Sequence, residues 1–158
     1  MKKWILIAVP LVILIIGGIL INVYVNAMKP INTAEKRALL LAKKHVSISK
    51  VNDFHVYNGS ESVDVIEGKN NKGENIIVWI TEKSKKVIVR NAKDGISKNQ
   101  AIQKLLEEEK PKQIISVSLG MEKDIPLWEI YYRSDHNLIN YYYVDFQTGE
   151  WLKKIENL

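Results

Sequence analysis

Residues 97–133 read SKNQAIQKLLEEEKPKQIISVSLGMEKDIPLWEIYYR, and the spacing of their apolar side chains changes part-way along. Up to Leu106 the apolar positions recur every three to four residues, which predicts an amphipathic helix. Ser97, followed three residues later by Gln100, forms a capping box that places the start of the helix. Beyond Pro111 the period falls to two, which is typical of strands with one buried face. This order of elements favours the α+β class.

The same order occurs earlier in the chain. Asn32 or Thr33 is predicted to begin a first helix. Turn residues separate the strand-like runs that follow each helix. The predicted strands are 51–57, 62–67, 75–81 and 86–90 in the first half, and 113–119, 127–133, 138–146 and 150–155 in the second. The segment 120–126, which contains Gly120 and Pro126, is predicted to be a loop.

The two halves align without a gap at an offset of 64 residues, so that Trp79 corresponds to Tyr143. Repetition of the same elements at matching spacing indicates an internal duplication. We therefore predict two tandem α+β units, residues 29–94 and 95–158, each with its helix packed on an antiparallel sheet. Units of about 60 residues are marginally stable alone, so we expect the two to share an interface.

An apolar segment precedes both units. Residues 4–25 read WILIAVPLVILIIGGILINVYV and carry no charge. As a helix this segment would span roughly 33 Å, enough to cross the hydrocarbon core of a bilayer. Lys2 and Lys3 before it favour a cytoplasmic N-terminus and an extracytoplasmic C-terminal part. We expect residues 1–28 to be a cytoplasmic tip and a single-pass anchor in membrane lipid; the alternative is a signal peptide cleaved after Ala27.

Charge and composition exclude several classes of protein. Outside the anchor, 21 basic residues face 18 acidic ones, a surplus of only +3. So small a surplus is not the footprint of a nucleic-acid-binding protein. The chain has no cysteine, which excludes disulfides, thiol catalysis and a lipidated N-terminal cysteine.

The C-terminal stretch carries a resemblance to a known family. Residues 143–152, YVDFQTGEWL, are similar to the last hairpin of PepSY domains, which typically ends in V-D-x-x-T-G-E and a hydrophobic residue. The first unit has TEKSKK at 81–86 instead. With its anchor and two repeats, the chain resembles the YpmB/TseB family of cell-wall elongation regulators of Gram-positive bacteria, which have PepSY-like, cystatin-like domains.

This resemblance implies a fold and a function. The fold is an anchor followed by two cystatin-like units. The function is non-enzymatic regulation of cell-wall peptidoglycan elongation, through contact with an envelope protein, specifically a class B penicillin-binding protein. The alternative is a PepSY-type inhibitor or chaperone of an envelope protease. The family supplies no catalytic residues, and the oligomeric state stays open.

A search for chemistry gives little. His45, His55 and His136 lack a second ligand at metal spacing, so no metal site, cofactor or catalytic residue is predicted. Residues 47–50 match S-x-x-K formally, but the S-x-N and K-T-G motifs that accompany it are missing, which favours a polar connector. Asp145 with Thr148 and Gly149 is predicted to form a hairpin turn instead of a cation site.

The aromatic residues are the candidates for partner binding. Tyr141, Tyr142 and Tyr143 lie in one predicted strand, so alternate rings face opposite sides. If Tyr142 faces the helix, then Tyr141 and Tyr143 face outward, with Trp79 at the equivalent place in the first unit. An exposed aromatic stripe is a common partner surface. The alternative is that the two units bury these rings against each other.

Overall fold

A computed structural model describes residues 2–135 and 137–156. The chain divides into a helical unit that ends at Arg37 and a compact unit that begins at Ala38. The elements, in order, are α1 (Lys2–Ala42), β1 (Ile48–Asn58), β2 (Ser62–Asn70), β3 (Asn75–Thr81), β4 (Val87–Asn91), a 3-10 turn (Ala92–Asp94), α2 (Lys98–Glu108), β5 (Gln113–Glu122), β6 (Ile125–Arg133), β7 (Ile139–Asp145) and β8 (Trp151–Ile155).

The N-terminal helix α1 is continuous for 41 residues. The prediction that a separate helix begins at Asn32 or Thr33 is therefore wrong. Inside a helix, a threonine hydroxyl can donate a hydrogen bond to a backbone carbonyl of the preceding turn. The Thr33 hydroxyl does so, since it donates to the Lys29 carbonyl at 2.8 Å and does not cap a helix start. From Val12 onward α1 is long and apolar enough to cross a membrane. It fits a single-pass membrane anchor.

The strands form two antiparallel sheets, each with its four strands in sequence order. Sheet A has the order β1-β2-β3-β4, and sheet B has the order β5-β6-β7-β8. This confirms an α+β fold with the same strand order in both halves. Trp79 and Tyr143 both lie in the third strand of their sheets.

Local signals placed α2 and the last hairpin correctly. The backbone N–H of Gln100 donates to the Ser97 hydroxyl at 3.3 Å, and the Ser97 N–H donates to the Gln100 side chain at 2.8 Å, which completes the capping box. Between β7 and β8, one Asp145 carboxylate oxygen accepts from the backbone N–H groups of Gln147 and Thr148, both at 2.7 Å. Gly149 follows with φ +73°, so this segment is a hairpin turn.

The prediction of a loop at 120–126 is wrong. Strands β5 and β6 are joined by a two-residue turn, in which Lys123 and Asp124 have φ of 49° and 68°. Positive φ at both central residues matches the right-handed twist of the flanking strands. Gly120 lies inside β5 and leaves room for a neighbouring ring, because a Cβ there would lie 2.5 Å from Tyr57. A glycine that permits close packing was mistaken for a turn signal.

Two apolar clusters stabilise the compact unit. One joins both sheets and α2, and its largest fully buried side chains are Trp79, Tyr142 and Phe146. The other contains Ala38 and Ala42 from the end of α1 together with four side chains of β2 and β3: Ile66, Ile76, Val78 and Ile80. Strand β3 contributes to both clusters, because its alternate side chains leave the sheet on opposite faces.

Candidate functional site

Two of the three aromatic residues predicted to bind a partner are buried. Trp79 is 0% exposed and Tyr143 is 4% exposed. The Trp79 ring packs edge-on against Phe146, with centroids 5.2 Å apart. Of the two alternatives for Trp79 and Tyr143, the structure shows burial between the units and not an outward orientation, because both rings belong to the apolar cluster shared by the two sheets.

Tyr141 is in a different position. It is half-buried and stacks on Tyr131 of the adjacent strand, with centroids 4.8 Å apart and ring planes 25° from parallel. Tyr131, Tyr141 and Ile155 are register partners across β6, β7 and β8. These three side chains, which we call the tyrosine row, form an apolar strip that is partly open to solvent.

The row continues inward to a polar cluster under Tyr143. Tyr143 stacks against Tyr141 at 6.3 Å, and Lys153 Nζ lies 4.3 Å from the centre of the Tyr143 ring. Lys153 also binds the Glu122 carboxylate at 2.7 Å. An ammonium group that is shared between a carboxylate and an aromatic face holds the ring in place. Tyr141 therefore stacks on a ring, Tyr143, that Lys153 and Glu122 hold in place.

Glu129 is the central acid of this cluster. The Tyr143 hydroxyl donates a hydrogen bond to it, and the single Tyr57 hydroxyl proton is shared between Glu129 and Glu122, whose oxygen lies 3.3 Å away; the contacts with Glu129 lower the pKa of Glu129. Burial acts in the opposite sense and is the larger effect, so the pKa of Glu129 is raised above its ordinary value. Burial also raises the pKa of both tyrosines, which remain protonated donors at neutral pH.

The raised pKa of Glu129 predicts a pH-dependent stability. Since the folded chain holds the Glu129 proton more tightly than the unfolded chain, ionisation destabilises the fold as the pH rises. We expect Glu129→Gln to melt at a higher temperature than the unsubstituted chain at pH 7. This gain should vanish below the ordinary pKa of 4.5, where both states are protonated. Thermal unfolding at pH 4 and pH 7 checks it, and an equal gain at both would contradict it.

A cleft of about 190 Å³ opens beside this cluster. Its apolar lining consists of Ile125, Leu127, Tyr143 and Leu152, and three charged residues line it as well: Glu122, Lys123 and Lys153. Among its described lining residues there is no serine or histidine that an acyl-transfer site would need.

A second cluster brings together three groups that lie apart in the sequence. One ligand atom from each of Asp53, His55 and Glu67 lies within 4.8 Å of the other two. His55 Nδ1 is 3.1 Å from an Asp53 carboxylate oxygen, and its Nε2 is 2.9 Å from the Leu119 carbonyl oxygen. Burial and the nearby Asp53 raise the pKa of Glu67, while His55 and Lys98 oppose that shift. The sequence does not reveal this cluster, because Glu67 reaches Asp53 only through the pairing of β1 with β2.

The other sequence candidates have simple positions. His45 is exposed in the turn that follows α1, and His136 lies outside the described residues. Ser49 of the S-x-x-K segment donates to the carbonyls of Lys69 and Asn70, at 3.0 and 2.8 Å, and so ties β1 to the end of β2. That contact is structural, but Ser49 and Lys50 belong to β1 and not to the predicted connector, because strand pairing extends back to Ile48.

Two parts of the chain match known protein families. Residues 95–155 match the family described as "Peptidase propeptide and YPEB domain", or PepSY, so the second half is a PepSY domain. Residues 37–81 match the family described as "Cell wall elongation regulator TseB-like domain".

One curated relative decides the family. It is named "Probable cell wall elongation regulator TseB", from Bacillus subtilis (strain 168), and is 30% identical over 135 residues, which is 85% of this chain and 84% of the relative. The chain therefore belongs to the TseB family of cell wall elongation regulators, which confirms the resemblance seen in the sequence. A solved structure, "YpmB protein from Bacillus subtilis", agrees with a TM-score of 0.73 and 31% identity, over 77% of this chain and 95% of that one.

Proposed function

We propose that the chain is a membrane-anchored, non-enzymatic binding module outside the cytoplasm. It regulates peptidoglycan elongation by contact with a class B penicillin-binding protein. The observation that carries this proposal is the 30% identity, over 85% of the chain, to a relative named as a probable cell wall elongation regulator. The described clusters support a binding role, since they present an apolar cleft and stacked rings instead of a paired nucleophile and base.

The proposal includes an arrangement for the whole chain. Residues 1–28 form a cytoplasmic tip and anchor, and residues 29–94 and 95–158 form two tandem cystatin-like units. The positive charges of Lys2 and Lys3 favour an N-terminus inside the cell. The identical strand order of the two sheets supports the duplication.

The tyrosine row is the proposed contact surface. Tyrosine contributes a large, rigid and amphipathic surface, which is why it is enriched at interfaces. Tyr131 and Tyr141 are already stacked, so binding would cost them little side-chain entropy. Of the three residues predicted from the sequence, Tyr141 keeps a direct role in this proposal, whereas Trp79 and Tyr143 support it from the core.

Cross-linking in living cells tests this proposal. A photoreactive side chain at Tyr141 should give adducts that contain a class B penicillin-binding protein, identified by mass spectrometry. The matched control places the same group at Lys72, an exposed residue in the β2–β3 turn. Equal adducts from both positions, or adducts only with unrelated envelope proteins, would contradict the proposed contact.

Anchoring has its own expected result. An uncleaved anchor keeps the protein in the membrane fraction after a carbonate wash, because residues 4–25 carry no charge and are long enough to span a bilayer. We expect the mature N-terminus at or near Met1. Mass data that place the N-terminus at Met28, together with release by carbonate, would show a cleaved signal peptide instead.

The second candidate function is inhibition or chaperoning of an envelope protease. It is favoured by the match of residues 95–155 to the peptidase propeptide family. The full chain in detergent micelles, incubated with a panel of secreted proteases, tests this candidate. A stoichiometric amount that slows one protease would support it. Slow digestion of the chain itself without inhibition would count against it.

A further inference from the structure

Strand pairing places two acids and a histidine on one face of sheet A. Asp53 of β1 is the register partner of Glu67 of β2. Side chains that are directly opposite share a face, and so do residues two apart on one strand. His55 therefore lies on the same face as both acids, and the potential ligand atoms of all three groups lie within 4.8 Å of one another.

This pairing sets two carboxylates against each other, and His55 and Lys98 offset their repulsion only in part, since the pKa of Glu67 is still raised. Like charges directly opposite each other on neighbouring strands destabilise a sheet. Lys98 of α2 lines the same cleft and acts against the rise in the pKa of Glu67, so it offsets part of the charge. One divalent cation would neutralise Asp53 and Glu67 together.

The imidazole of His55 is oriented as in metal-binding histidines. A carbonyl oxygen only accepts hydrogen bonds, so Nε2, 2.9 Å from the Leu119 oxygen, carries the proton. Nδ1 lies 3.1 Å from an Asp53 oxygen, and that contact is favourable only when a proton or a cation lies between the two atoms. Histidine ligands of metals commonly donate their other ring N–H to a backbone carbonyl, which fixes the tautomer and the ring orientation.

The distances and the space suit a small cation. Ligand bonds of about 2.0–2.1 Å in a tetrahedral site put neighbouring donor atoms roughly 3.3 Å apart. Nδ1 and the Asp53 oxygen are already at 3.1 Å, and Glu67 has three rotatable bonds with which to approach. The cleft measures about 490 Å³, so water or a group from a partner can complete the coordination.

We propose that Asp53, His55 and Glu67 bind one divalent transition-metal ion of the zinc class. One imidazole nitrogen and two carboxylates are donors that Zn²⁺ accepts and that Mg²⁺ or Ca²⁺, which prefer oxygen alone, favour less. Since His55 also bonds to Leu119 of β5, the bound ion couples β1 and β2 of sheet A to sheet B.

Titration of Zn²⁺ into the full chain, in detergent micelles and without a histidine tag, tests this proposal. We expect one Zn²⁺ per chain and a rise in melting temperature. Co²⁺ bound at the same site, with His55 as its one nitrogen ligand, should give a visible absorption band. His55→Gln preserves an N–H for the Leu119 carbonyl but removes the ligand, and should weaken Zn²⁺ binding by at least the 10–100-fold typical of an outer-shell loss. Asp53→Asn and Glu67→Gln should weaken it similarly.

His45→Ala is the matched control, since it removes an exposed histidine outside the cluster. It should leave Zn²⁺ binding unchanged. Absence of one-to-one binding by a folded chain would overturn the proposal. So would stoichiometric binding that survives all three cluster substitutions, or equal binding of Mg²⁺ that does not depend on His55. Because no cell-wall partner is present, these outcomes are independent of the proposed regulatory function.

Discussion

Replacing Trp79 by alanine is expected to lower the free energy of unfolding by about 3–5 kcal/mol, the range for deleting a large buried aromatic side chain. The indole is 0% exposed and fills the cluster shared by the two sheets. Its removal leaves a cavity beside Phe146, whose ring now packs edge-on against it at 5.2 Å. Chemical denaturation of the full chain in detergent micelles, followed by far-ultraviolet circular dichroism, measures this loss.

Trp79→Phe is the informative companion. The Trp79 Nε1–H is buried and has no hydrogen-bond partner among the described residues. An unsatisfied buried donor costs free energy, so phenylalanine removes a penalty while it keeps an aromatic ring against Phe146. We expect Trp79→Phe to lose much less stability than Trp79→Ala. An alanine variant as stable as the unsubstituted chain would show that Trp79 does not join the two sheets.

The elements of this fold were predictable where the signal was local. The Ser97–Gln100 capping box and the Asp145–Gly149 turn each lie within a few residues, and both formed as predicted. The start of the first helix was not local in this sense. An amphipathic segment after Pro30 looks like a new helix in sequence, but the apolar helix before it continues through and supplies its hydrogen-bond partners.

The candidate site depended on contacts that periodicity does not contain. Alternation along β7 correctly separates Tyr142 from Tyr141 and Tyr143, yet it does not show which faces are covered. Tyr143 is buried by packing between sheets, whereas Tyr141, two residues earlier on the same face, lies at the margin of that contact. The pairing of Asp53 with Glu67 likewise required the strand register.

The polar cluster around Tyr143 and the cluster of Asp53, His55 and Glu67 both lie where the two sheets meet. This shared contact relates stability to function. Tyr57 of β1 donates to Glu122 of β5 at 3.3 Å, and His55, two residues earlier, bonds to Leu119 of β5. Glu122 in turn holds Lys153 over the Tyr143 ring, which supports the tyrosine row. A change in the β1–β5 contact would therefore reach the proposed contact surface through Glu122, Lys153 and Tyr143.

If the proposed contact with a penicillin-binding protein is made by the tyrosine row, replacing Tyr131 and Tyr141 together by serine is expected to weaken capture of that protein by at least about 30-fold. An aromatic anchor at the centre of an interface contributes about 2 kcal/mol or more, and 1.4 kcal/mol is tenfold in affinity. The measurement is the dissociation constant of the full chain, in detergent micelles, for the purified partner obtained by cross-linking.

Two controls separate lost binding from lost folding. The paired change of Tyr131 and Tyr141 to phenylalanine keeps the stacked rings, now 4.8 Å apart, and should retain most of the affinity. Trp151→Ser removes an aromatic ring that is 54% exposed on β8, four residues from Ile155, and should leave affinity unchanged. If Trp151→Ser abolishes capture while the double serine variant binds normally and melts normally, the contact surface lies near the β7–β8 turn and not on the tyrosine row.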